Sequence, residues 1–302
     1  MSDYLFDKSG QPDPEIESLE NALRPLRYQP PRRRAPVVIA LLAAAAIVVL
    51  AVFILRRPSF EVARLEGAPT IHGAAMGATA QLAVGKWLET DDVSSARIKV
   101  SDIGTIDVRP RSRVQLVETR KERHRLALDR GMISVHVNAP PRIFVVDAAS
   151  VSAVDLGCAY TMAIDEASRE VTLRVTSGQV SLEGHGRATV VRRGMSCVTH
   201  PREGVGTPFS DRSSPELRAA LHRFDFEHAG DAAALDVMNA SIPSDAPTLL
   251  FLLERVAPEL RARVYARLAE LSPPPPTVAR DDVLKLAPPS VSAWRSDLEA
   301  KW

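Results

Sequence analysis

In "LGCAYTMAID", residues 156–165, side chains alternate in character along the chain. Leu156, Cys158, Tyr160, Met162 and Ile164 share one face, and Gly157, Ala159, Thr161 and Ala163 share the other. A period of two is that of a strand with one face buried, so Cys158 is predicted to point inward. The pattern continues on both sides. "RLALD", "MISVHV", "RIFVVD", "EVTLRV" and "QVSLE" alternate or run apolar, and "DRG", "TSG", "GHG" and "RRG" punctuate them. Gly131, Gly178 and Gly194 each precede a strand and are predicted to supply a positive-φ turn. Short strands at regular spacing from residue 60 to about 200 indicate an all-β sandwich, barrel or solenoid.

Charge and motif content narrow the function. The chain holds 38 basic and 37 acidic residues and a formal net charge of +1, which leaves no basic footprint for counterion release from nucleic acid. No nucleophile elbow, metalloprotease helix, phosphate-cradling glycine loop or paired-cysteine zinc module occurs, so the chain reads as neither an enzyme nor a cofactor binder. The seven histidines are scattered, and His136 falls on the polar face of "MISVHV".

Residues 37–55, "VVIALLAAAAIVVLAVFIL", contain no charge. As a helix rising 1.5 Å per residue they would cover roughly the ~30 Å hydrocarbon core of a bilayer. Arg56-Arg57-Pro58 follows, with no small-residue cleavage site, so the stretch is read as one uncleaved transmembrane helix rather than a signal peptide. Arg24, Arg27 and Arg32 to Arg34 precede it, against Arg56, Arg57 and Arg64 beyond. The basic bias places the N-terminus in the cytoplasm and residues 56–302 in the periplasm, anchored to the inner membrane.

That compartment gives the two cysteines a reading. Cys197 shares parity with Met195 in the strand after Gly194, so both thiols face one core in an oxidising space, and a Cys158–Cys197 disulfide is predicted. Two separate buried thiols are the alternative. Cys197-x-x-His200 together with Cys158 would be a zinc set, which an oxidising compartment disfavours against the disulfide.

Residues 1–36 form a short cytoplasmic segment with one organised piece. Asp13 stands at a cap position and Pro14 in the first turn, and Ile16, Leu19, Leu23 and Leu26 make an apolar helical stripe. The stripe reads either as a spacer at the lipid surface or as a docking helix for a cytoplasmic partner.

Residues 209–302 are read as an all-α C-terminal domain. Ser214-Pro215 opens a helix with Leu217, Ala220, Leu221 and Phe224 on one side, "PELRARVYARLAEL" carries Leu260, Val264, Leu268 and Leu271, and "DAPTLLFLLERV" is apolar enough to need burial between them.

The series "HRLALDRGMISVHV", "RIFVVDAASVSAVDLGCAYTM" and "EVTLRVTSGQVSLE" resembles the periplasmic domain of the FecR family of single-span regulators, over about residues 80–200. Cys158 and Tyr160 stand where the family has threonine and a later phenylalanine after "LG". The resemblance implies a FecR-like β domain over 80–208, preceded by a linker and first strand over 56–79. It also implies an extracytoplasmic protein partner, relay of a signal across the membrane and control of a cytoplasmic sigma factor. A membrane-tethered structural or envelope-binding module without signalling is the alternative.

Overall fold

The structure, a computed structural model, describes residues 13–28, 42–46 and 58–301. The chain divides into two compact units, residues 1–56 and 57–302.

In the second unit eighteen strands join in one hydrogen-bonded sheet that curls into a half-barrel. Every ladder is antiparallel except that between Phe144–Ala148 and Arg123–Val137. The curl originates in Arg123–Val137, which is 15 residues long. Its first half pairs with Arg113–Arg120 and Phe144–Ala148, and its second half with Gly104–Val108 and Cys158–Ile164. Gly131 sits at the changeover with φ +83°, where a Cβ would lie 2.3 Å from Ser112 Oγ. Only glycine adopts that conformation at no steric cost and leaves that space empty, so the strand can serve two layers. Gly178 and Gly194 also have positive φ, as their turns require.

Alternation then fills the space between the layers. Val62, Ile106, Val135 and Met162 from one layer meet Leu116, Leu126, Val146 and Leu182 from the other in one buried cluster. Cys158–Ile164 buries every second residue, as its sequence period demands. Residues 56–79 include Ser59–Glu66, which is not an edge: it pairs with Thr79–Ala83 on one side and Ser95–Val100 on the other.

The helices of this unit are α2 (Pro215–Phe226), α3 (Gly230–Ala240), α4 (Ala246–Arg255), α5 (Pro258–Leu271), α6 (Arg280–Leu284) and α7 (Pro288–Ala300), and the first unit holds α1 (Pro14–Leu23). Ser214 Oγ accepts the Leu217 amide at 3.1 Å and Pro215 takes a position whose N–H has no helical partner, which fixes the start of α2. Leu217, Leu249, Leu252, Leu260, Val264 and Trp294 form a second buried cluster. Strand residue Phe209 belongs to that cluster, and Phe251 of α4 packs on the strand cluster, so sheet and helices are joined apolar face to apolar face.

The transmembrane helix expected over 37–55 is corrected. Among the described residues no helix is long and apolar enough to cross a membrane. Of that stretch only 42–46 are described, as a helical piece with exposed side chains, and the remainder lies outside the described residues. Hydropathy is a property of composition, whereas a span is one continuous helix of about 20 residues, and the first does not dictate the second.

Candidate functional site

Helix α1 displays an apolar face and buries none of its residues. Asp13, in extended conformation, accepts the Glu15 amide at 3.0 Å on its carboxylate, and Glu15 and Glu17 lie in the first turn, where the helix dipole favours negative charge. The α-helix stops at Leu23 and tightens into a 3₁₀ turn, Arg24–Leu26. Pro25 has no N–H to give to the Asn21 carbonyl, which accounts for the stop. Of the four stripe residues, Ile16 is half-buried, while Leu19, Leu23 and Leu26 are 64%, 54% and 78% exposed. Residues three and four apart lie on one side of a helix, so Ile16, Leu19 and Leu23 form a contiguous strip.

The predicted disulfide is corrected by the register. Cys158 and Cys197 are both buried, both lie in the strand cluster, and both are free thiols. Between their strands runs Val171–Ser177: Cys197 pairs with Leu173, and Leu173 pairs with Met162, four residues beyond Cys158. Two strand spacings and four residues separate the thiols by roughly 10 Å across and about 13 Å along the sheet. A disulfide requires Cα atoms within about 7 Å. Burial pushes both thiols well above their ordinary range, and a nearby carboxyl adds to the shift in each case, Asp155 at Cys158 and Asp225 at Cys197. Cys197 Sγ lies 3.4 Å from the Gly206 carbonyl oxygen, and His200 Nδ1 accepts the Arg202 and Glu203 amides, so neither is turned toward a shared ion. Asp155 itself is raised by burial, and neither its Oδ2 nor the fully buried Tyr160 hydroxyl has a hydrogen-bond partner among the described residues.

Sequence reading missed the polar seam where helices meet sheet. Asp225 of α2, with its side chain 3% exposed, takes Arg255 of α4 at 2.9 Å. The Thr207 amide and hydroxyl donate to the same carboxylate at 2.6 and 2.8 Å, and Arg255 also donates to Thr207 Oγ1 at 2.8 Å. Burial raises the Asp225 carboxyl and lowers the Arg255 guanidinium, and each opposes the other's shift. Arg255 stays charged because no protein environment brings a guanidinium to neutrality near pH 7. Nearby, His222 of α2 bridges Glu170 at 2.8 Å and Glu227 at 3.1 Å. Burial alone would lower this imidazole, but the two carboxylates more than offset it and its value is raised. The available signal was charged residues at the ends of apolar helices, "HRFDF" and "LLER", and it names no partner.

Comparison with known proteins completes the picture. Residues 87–181 match the family model described as FecR protein. No curated protein matches the chain. Among solved structures, two crystal structures of a candidate anti-sigma factor from Parabacteroides distasonis, at 1.65 and 2.50 Å resolution, are similar at 10% identity and a TM-score of 0.36. Each match covers 44% of this chain and 63% or 62% of the other, so less than two thirds of those proteins is spanned.

Proposed function

We propose, from the match of residues 87–181 to the FecR family model, that this chain is a regulator that acts by contact with another protein, and that the protein contacted is a sigma factor. The family match carries this reading. In it, α1 is the docking element: a short amphipathic helix lays an apolar strip into a groove, with Leu19 and Leu23 as neighbouring anchors. The exposure of those two leucines supports the assignment, since an exposed apolar strip gains from being covered by a partner. The half-barrel and its helices form the receiving part, a preorganised surface of packed strands.

The test is capture of sigma factors from the native host by the full chain, against the Leu19→Asp, Leu23→Asp double variant. Capture of a sigma factor by the wild type and its loss in the variant is the expected result. Undiminished capture by the variant would remove α1 from the reading, and a wild type that captures no sigma factor would remove the sigma factor itself.

A further inference from the structure

Thr79–Ala83 is an edge strand: its register joins it to Ser59–Glu66 and to no other strand among the described residues. The hydrogen bonds beyond its two ends fix which residues face outward. Val84 donates to the Pro58 carbonyl at 3.2 Å and Arg64 to the Ala78 carbonyl at 2.9 Å, so the even-numbered residues exchange main-chain bonds with Ser59–Glu66. The N–H and C=O groups of Thr79 and Gln81 and the N–H of Ala83 point the other way and have no partner among the described residues. The Ala83 carbonyl accepts the Lys86 amide at 3.0 Å. Thr79 and Gln81 are exposed, as are Gly77 and Ala78 before them.

The devices that keep a bare edge from pairing are missing here. Between Glu66 and Lys86 the chain holds no Asp, Glu, Lys or Arg, and the strand itself holds no proline. Arg187–Arg192, which pairs with Gln179–Gly184 alone, is the contrast: it begins and ends in arginine. Charge decides because a two-fold contact sets a patch against its own copy, and like charges directly opposite are destabilising. Laid antiparallel to itself about Gln81, the strand opposes Gln81 to Gln81, Thr79 to Ala83 and Ala80 to Leu82, and no charges meet. In that register the Gln81 N–H of each copy reaches the Gln81 carbonyl of the other, and the Ala83 N–H reaches the Thr79 carbonyl. The Thr79 N–H shares the Ala83 carbonyl with Lys86. The edge is thus complementary to itself in main chain and in charge.

We propose that Thr79–Ala83 is a self-association edge, through which two copies of this chain join into one continuous sheet about a two-fold axis at Gln81.

The test is sedimentation equilibrium of the full chain over a range of concentrations, and a monomer–dimer equilibrium is the expected result. Gln81→Lys and Gln81→Glu each set like charges across the axis and should each weaken dimerisation by about fivefold or more. An equimolar mixture of the two should associate at least as tightly as the wild type. Glu61 lies beside Gln81 on the neighbouring strand, so either substitution also alters contacts within one copy, and recovery in the mixture is a result that only a contact between copies gives. The Gln81 main chain takes no part in the ladder with Ser59–Glu66, so circular dichroism should be unchanged in both variants. Gln81→Cys should cross-link into a dimer on mild oxidation, since a hydrogen-bonded antiparallel pair has its Cα atoms about 5.5 Å apart, and Thr79→Cys, opposite Ala83, should not. A wild type that stays monomeric, variants that dimerise as the wild type does, or a mixture that associates no more tightly than either variant alone would overturn the proposal.

Discussion

Helices α1 and α4 are each ten residues long, and each has a proline within its first two positions, yet they are held in opposite ways. α1 buries none of its side chains, and it has an aspartate cap and acidic first turn that specify a helix locally. α4 has no side-chain cap but buries six residues, Ala246, Thr248, Leu249, Leu250, Leu252 and Leu253. Propensity and caps make a short helix marginal, whereas packing makes it permanent. A helix that depends on packing is committed to its own fold. One that carries its own start signal and leaves its leucines uncovered is available to something else.

The contrast breaks most readily at the end of α4. Asp225→Ala strands the Arg255 guanidinium in a buried seam, and the expected loss is about 3–5 kcal/mol of unfolding free energy, the cost of removing one partner of a buried pair. Urea denaturation of the full chain measures it; a loss below ~1 kcal/mol would mean that Thr207 and water suffice. Next comes Leu249→Ala, at a fully buried position of α4, expected to cost about 2–5 kcal/mol through lost transfer energy and a cavity. Leu19→Ala in α1 should leave that same transition unmoved. Equal effects of the two substitutions would end the distinction.

Smaller effects sharpen it. Asp13→Ala removes the cap that α1 relies on and should weaken that helix by ~1 kcal/mol, seen as faster amide exchange over Glu15 to Ser18 with no change in the half-barrel. The smallest concerns pH. Since the folded value of His222 is raised above its unfolded value, the imidazolium contributes stability below the ordinary histidine range and loses it as pH rises through the folded value. The group is 40% exposed, so the contribution should stay under about 1 kcal/mol. The wild type should lose that increment between mildly acidic and mildly alkaline pH, and His222→Gln should not.

The sequence by itself determined what depends on neighbours along the chain. Period two assigned Cys158, Tyr160, Met162 and Ile164 to the buried face, because pleating alternates side chains whatever the partner strand is. Gly131, Gly178 and Gly194 announced their turns, because positive φ is a single-residue property. Asp13 and Ser214 announced helix starts, because a cap bonds within three residues. Only the tertiary structure decided which strands are neighbours. Cys158 and Cys197 have the inward parity expected of them, yet Val171–Ser177 runs between their strands, and register across a sheet is fixed by the whole core rather than by either segment. The apolar stretch 37–55 was legible as composition, and among the described residues no helix is long and apolar enough to cross a membrane. The Asp225–Arg255 pair and the His222 bridge to Glu170 and Glu227 were equally hidden. Their meaning depends on the desolvation created when helices close on the sheet, and a charge in the sequence carries no record of the dielectric it will meet.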